Sequence, residues 1–243
     1  MSTTAEPPTL KRITQKSLPD DVYDILLKEL SKGRWEAGTP LSIDGLASFL
    51  GVSPTPVREA LARLESTGLV RREARRGYRV SPPMTRQQAC ELVDARIVLE
   101  TGAMARAMEN PTNLLADLER AYEAHAAAVT DLKHARRDHN LDALAQSFAN
   151  DWHFHSAILK HCNNRYLELL VESLGFRAHR MRQAVGSGVT DEDVALAEHK
   201  DILDAVRSGD TQRAVEAMSA HLNRLLDRVQ QEPESDHPHN ETD

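Results

Sequence analysis

Apolar positions along this chain recur every three to four residues, the spacing of helices that bury one face. The pattern starts at Pro19, after a polar lead over residues 1–16 that reads as disordered. Val22, Ile25, Leu26 and Leu30 then share one face before Gly33 stops the run. A second, short helix follows Ser42, an N-cap candidate, with Ile43, Leu46, Ala47 and Leu50 at i, i+3, i+4 and i+7 and Gly51 as its end. A third opens at Ser53-Pro54-Thr55-Pro56, where prolines are harmless because first-turn N–H groups have no partner within the helix. Val57, Leu61 and Leu64 mark its buried stripe. After Thr67-Gly68 the period shortens, and two β-like runs between Leu69 and Val80 turn near Arg76-Gly77.

Beyond Ser81-Pro82-Pro83 the helical period returns and holds from Thr85 to Gln231. The segments 85–109, 112–133, 141–162, 164–185, 190–208 and 210–230 are separated by Asn110-Pro111, Asp138-His139-Asn140, Asn163-Asn164, Gly186-Ser187-Gly188 and Gly209-Asp210. The fold class expected is mostly α. A winged helix-turn-helix spans 17–80 and a linker 81–85, and an antiparallel six- to seven-helix bundle fills 86–231. The remaining residues, 232–243, form a polar tail with nothing to bury, expected to be disordered.

Composition narrows the function classes. Aromatic residues make up only 4% of the 243, which disfavours a β-sandwich. No apolar run approaches the ~18 residues of a membrane span, and the N-terminus has no apolar signal core. Cys90 and Cys162 form neither a CxxC pair nor a disulfide framework, so a cytoplasmic, non-membrane protein is expected. Charge divides the chain: residues 1–83 hold 13 Lys+Arg against 10 Asp+Glu, and the rest 17 against 27. All 11 histidines lie at or after His125. A mildly basic front and an acidic, His-rich back imply two jobs.

Two helices joined by a tight Gly51-Val52 turn and followed by a strand pair are the layout of a DNA reader whose second helix enters the major groove. Its first turn offers Ser53, Thr55 and Arg58, with Arg63 a helical stretch further on, and hydroxyls suit phosphates while Arg grips guanine or phosphate. The wing offers Arg75, Arg76, Gly77 and Tyr78 at its expected tip. The bland alternative, a solvated charge run, is opposed by the coincidence of turn, helix and basic wing within one short stretch.

In the back half, polar residues occupy apolar stripes. Asp151 and His155 fall on the Leu144/Phe148/Ile158 stripe, His199 on Leu196/Ile202/Leu203/Val206, and His221 on Val215/Met218/Leu222/Leu225. A buried carboxylate needs a partner, and three imidazoles with one carboxylate make a good divalent-metal site. Each could equally be a hydrogen-bonded core residue, as His125 on the Leu118/Tyr122/Val129 stripe illustrates. His153, His161 and His179 fall off their stripes and read as surface.

The run Gly51-Val-Ser-Pro-Thr-Pro-Val-Arg-Glu-Ala-Leu, with the later Arg-Arg-Gly-Tyr-Arg-Val, closely resembles the GntR superfamily of bacterial transcription regulators. Asp-Trp-His-Phe-His at 151–155, Glu-His-Lys-Asp-Ile-Leu at 198–203 and Ala-Met-Ser-Ala-His-Leu at 217–222 resemble the FCD effector domain of the FadR branch. Some members carry an arginine where this chain has Pro54, a departure that bears on operator sequence. The resemblance implies a homodimer that binds a short inverted repeat of operator DNA, acting most commonly as a repressor. It implies a divalent metal held by Asp151, His155, His199 and His221, zinc first, with nickel, iron or manganese also suited. It also implies a small carboxylate effector. Arg96 matches an arginine common in the family's first effector-domain helix, and Arg177, on the Leu170/Leu174/Met181 stripe, is a second candidate. Either could instead pair with Glu100 or Glu172. Two other readings of the bundle stay open: a metal-dependent enzyme tethered to DNA, and a structural metal in a dimerisation domain. The expectation is a regulator rather than an enzyme.

Overall fold

A computed structural model describes residues 18–33, 35–135, 141–176, 179 and 191–231. The expected disordered lead and tail, the breaks at 138–140 and 186–188, and Arg177 lie outside the described residues.

The front half is built as its periodicity dictates: α1 (Leu18–Ser31), β1 (Pro40–Leu41), α2 (Ile43–Leu50), α3 (Pro54–Ser66), β2 (Val70–Glu73) and β3 (Gly77–Val80). Ser42 caps α2 by accepting the Gly45 N–H, and Gly51 ends it at φ 68°, a left-handed conformation that glycine adopts at little cost. Its N–H reaches back to the Ala47 and Ser48 carbonyls, which is why the turn into α3 is so tight. The wing is an antiparallel sheet in the order β1-β3-β2, with Arg72 opposite Tyr78 and Glu73 opposite Gly77. Two-residue β1, set against Arg79 and Tyr78 of β3, was not expected, because a Pro-Leu pair carries no alternation to read. One core, from Val22 to Val80, unites these elements around Val57, Leu61, Leu64 and Leu69.

The back half contains α4 (Arg86–Ala107), α5 (Pro111–Ala135), α6 (Leu141–His161), α7 (Arg165–Ser173), α8 (Glu192–Arg207) and α9 (Thr211–Gln231). Thr85 opens α4 with a capping box completed by Gln88. A second core gathers Val93, Met104, Leu114, Phe154, Ile202, Met218 and Leu222 from five helices. Helix α4 packs on α9, and α5 packs on both α6 and α8, so the inner faces of α6, α8 and α9 converge.

Two readings of this half need correction. The helix expected over 164–185 stops at Ser173: Leu174 is its cap and Gly175 sits at φ +62°, a break that an isolated glycine in a periodic run did not reveal. Leu170, expected on an inward stripe, is 53% exposed. His179, read as surface, is buried, and its Nε2 lies 2.7 Å from the Thr67 carbonyl oxygen at the end of α3. Periodicity within one helix cannot see a neighbour that belongs to the other half of the chain.

The two halves meet at this point. A Cβ added to Gly175 would lie 2.7 Å from Thr67 Cβ, and Asp142 of α6 binds Lys32 at 2.7 Å and Lys28 at 2.9 Å. Gly175→Ala should therefore cost more than the ~1–2 kcal/mol of forcing a Cβ into the left-handed region. Gly209→Ala, at φ +73° with nothing within 4 Å of the added Cβ, isolates that backbone cost. Urea denaturation of both variants checks this; equal losses would remove the Thr67 contact from the account.

Candidate metal centre and nucleic-acid interface

Helices α6, α8 and α9 each bring one buried imidazole to the bundle centre, because His155, His199 and His221 fall on inward stripes. The ring centroids stand 4.9, 5.0 and 5.2 Å apart, a nearly equilateral triangle. Two buried carboxylates orient two of the rings. His155 Nδ1 is 2.7 Å from Glu100 Oε2, and His221 Nδ1 is 2.7 Å from Glu198 Oε2. Ionised carboxylates only accept, so each Nδ1 carries the proton and each Nε2 keeps its lone pair. His199 Nε2 lies 3.2 Å from His155 Nε2 and 3.7 Å from Asp151 Oδ1. Its other nitrogen, Nδ1, lies 3.1 Å from Nδ1 of His125.

Electrostatics match this arrangement. Burial, reinforced by the neighbouring imidazoles, drives the His199 pKa well below its ordinary value. Burial also lowers His221, against the opposing pull of Glu198, and it lowers His125. Burial alone would raise Glu198, but hydrogen bonds from His221 and Arg228 outweigh it and hold the carboxyl down at about 2. Arg96 and His155 likewise hold Glu100 well below the usual carboxylate range against the upward push of burial. Lowered as they are, His199 and His221 favour the neutral imidazole that a divalent cation requires. His155, His199 and His221 form one possible donor group, and His125, Asp151 and His199 a second that shares His199. Three imidazole nitrogens and a carboxylate oxygen suit zinc, nickel, iron or manganese by donor type.

Arg96 lies beside this cluster, fully buried, with Nε bonded to Glu100 and its Cζ 3.7 Å from the Phe176 ring centroid. The ion pair with Glu100 weighed from the sequence does form, yet Nη1 and Nη2 have no hydrogen-bond partner among the described residues. Arg96 lines a cavity together with Ser147, His125, Asp151, Glu192 and His221. Glu198, Arg224 and Arg228 were not singled out from sequence. Arg224 Nε and Arg228 Nη1 reach Glu198 Oε1 at 2.8 and 2.9 Å, spanning α8 and α9, and spacing within one helix does not reveal such a pairing.

In the front half, Ser53, Thr55 and Arg58 are all exposed on the first turn of α3, and the Ser53 side chain makes no cap bond. Arg75, Arg76 and Gly77 form the exposed wing tip, with Arg75 at φ 63° and Gly77 at φ 81°. Two expected contacts are differently placed. Tyr78 is only 6% exposed: the strand alternation that turns Gly77 outward turns Tyr78 into the core. Arg63 binds Asp20 at 2.7 Å and stands 4.1 Å over the Tyr23 ring, so it ties α3 to α1.

Residues 18–80 match the family model described as bacterial regulatory proteins, gntR family, and residues 91–224 match the FCD domain model. The chain is similar to the transcriptional repressor GlaR of Escherichia coli, 27% identical over 87% of this chain and 95% of that one. It is also similar to the gluconate operon transcriptional repressor of Bacillus subtilis, 26% identical over 86% of this chain and 84% of that one. Among solved structures, E. coli McbR/YncC superposes with a TM-score of 0.68 at 25% identity, covering 89% of this chain and 99% of the other. No helix among the described residues is long and apolar enough to cross a membrane. With both models matched in order along one chain, this protein belongs to the GntR family of bacterial transcription regulators and carries an FCD domain.

Proposed function

We propose that this regulator is a cytoplasmic homodimeric repressor that binds a short inverted repeat of operator DNA. Its helical domain holds a divalent metal through Asp151, His155, His199 and His221, and a small carboxylate acid bound beside the metal controls DNA binding. The observation that carries the reading is Arg96, a buried guanidinium with two unpartnered nitrogens at the edge of an imidazole triangle. A buried cation with open donors is costly unless an anion meets it, and its planar fork fits a carboxylate. The metal, zinc first, would supply further open positions for the same anion. The relatives named as repressors support the sign of regulation.

Ligand occupancy has a physical route to the DNA half. Arg96 stacks on Phe176, the next residue after Gly175, and both Gly175 and His179 touch Thr67 at the end of the recognition helix. A shift of Arg96 toward an anion therefore bears on the helix that carries Arg58. A second copy suits the apolar face where Val98 of α4 and Tyr166, Leu169 and Leu170 of α7 are all more than half exposed on helices that pack together. A two-fold dimer in turn reads a palindrome.

The DNA half is tested on an operator found by sequencing genomic fragments retained by the immobilised protein. Arg58→Ala should weaken operator binding at least about ten-fold, by loss of a bidentate contact. The double change Arg75→Ala, Arg76→Ala should weaken all sequences alike and flatten the salt dependence by about two charges. Fluorescence anisotropy across a salt series separates the two, and unchanged affinity in both would remove the interface from α3 and the wing.

The metal half is tested by thermal unfolding. Chelation should lower Tm and zinc should restore it, since a ligand bound only to the native state stabilises it. In His221→Ala, zinc should restore little. Full restoration there would place the metal elsewhere.

A further inference from the structure

Three attachments between the front half and the bundle stand out among the described residues. One is covalent: Ser81 is buried, with its N–H bonded to the Leu69 carbonyl, and the chain passes through Pro82-Pro83 to Thr85, which caps α4. A second is at the end of α3, where Thr67 packs on Gly175 and its carbonyl takes a hydrogen bond of 2.7 Å from His179. The third is a charged clasp. Asp142, in the first turn of α6, binds Lys28 at 2.9 Å and Lys32 at 2.7 Å, one turn apart on α1. The Lys32 side chain is only 4% exposed and lies between Asp142 and Glu29, the latter at 3.1 Å. A buried ammonium is costly to strip of a carboxylate, so a pose that parts α1 from α6 is resisted. Hydrogen bonds from Lys32 and Lys28 hold the Asp142 carboxyl down at about 2, and the clasp is ionised at neutral pH.

None of these contacts covers the reading surface. Ser53, Thr55, Arg58, Arg75 and Arg76 all stay exposed while the attachments are made. The junction therefore leaves DNA access open and constrains the direction in which the winged domain faces. In a two-fold dimer that direction sets the separation and relative rotation of the two recognition helices. DNA couples the same two quantities: each base pair added between half-sites moves one of them by ~3.4 Å and turns it by about 35°. A domain on a loose tether can follow that change. One attached at three places follows it only by breaking an attachment or by deforming the DNA.

We infer that Asp142, on a bundle helix outside the winged domain, is a specificity-determining residue for the operator: by clasping Lys28 and Lys32 it fixes the half-site spacing that the dimer accepts. Asp142 reads no base. It is a positioning residue that acts through α1, and its effect is on pose rather than on the strength of either half-site contact. Its own side chain is 60% exposed, so removing it leaves both apolar cores filled. The inference rests on the homodimer and inverted-repeat reading above and adds what sets the register of the two half-sites.

The test is the affinity of the full chain, by fluorescence anisotropy at one fixed salt concentration, for duplexes built from an operator recovered from retained genomic fragments. One series carries both half-sites at the recovered spacing and with one or two base pairs added or removed. A further duplex carries a single half-site. A change of one base pair should weaken wild-type binding about ten-fold or more, the lower end of what deforming DNA costs. In Asp142→Ala the same change should cost about three-fold or less, because the domain now turns to follow the DNA. Affinity for the single half-site should stay at the wild-type value. Lys32→Met breaks the clasp from the α1 side while keeping the apolar stem, and it should relax the spacing in the same way. Wild-type discrimination kept in either variant overturns the inference, and so does a wild type indifferent to spacing. Equal loss on every duplex, the single half-site included, also overturns it, since Asp142 would then support the DNA half itself and not its pose. Retained fragments without paired half-sites, or one chain bound per duplex, overturn the homodimer reading and this inference with it.

Discussion

Three imidazoles cannot be packed together in an apolar core unless something fixes where their protons lie. Here two buried carboxylates do so: Glu100 holds the proton of His155 on Nδ1, and Glu198 holds that of His221. The carboxylates themselves need countercharges, which Arg96 gives to Glu100 and Arg228 with Arg224 give to Glu198. An uncompensated carboxylate or guanidinium at this depth would cost several kcal/mol, so the pairs stand or fall together. Helices α4, α6, α8 and α9 are thus bound through one polar network as well as by their shared apolar core. Among the described residues, the buried nitrogens it leaves without a hydrogen-bond partner are Nη1 and Nη2 of Arg96 and Nε2 of His125.

The residue that neutralises Glu100 is linked to the DNA half through Phe176. Arg96 rests on Phe176, and the adjacent Gly175 leaves no room for a side chain against Thr67. Close packing of this kind transmits small displacements because it has no slack to absorb them. His179 adds a hydrogen bond to the Thr67 carbonyl, and the Lys28–Asp142–Lys32 cluster adds charge pairing elsewhere in the same junction. A regulator needs such a junction, since binding in one half has to change the pose of the other.

Much of this was legible in the chain, for reasons that differ by element. The front helices obey local rules: Ser42 caps, Gly51 terminates, and prolines sit in the first turn of α3, so their limits follow from neighbours in sequence. The inward direction of Asp151, His155, His199, His221 and Arg96 followed from helical spacing alone, because each sits among apolar residues of its own helix. What could not be read were relations between elements. Tyr78 and Arg63 are exposed by their charge or polarity in the sequence, and only strand alternation and the approach of α1 turn one into core and the other into a brace. His179 is buried by Thr67, more than a hundred positions away. Glu198 sits beside His199 in sequence yet serves His221 on the next helix. The split of the 164–185 helix turned on the backbone angle of one glycine, and a period count passes straight over it.

X-ray absorption at the zinc edge tests the proposed centre most directly, because it counts the atoms bound to the metal without altering the chain. Three imidazole nitrogens with one or two oxygens at about 2.0–2.2 Å is the predicted first shell of the loaded protein. Sulfur scattering at about 2.3 Å, which Cys90 or Cys162 would give, or a shell with fewer than two imidazoles, would contradict it.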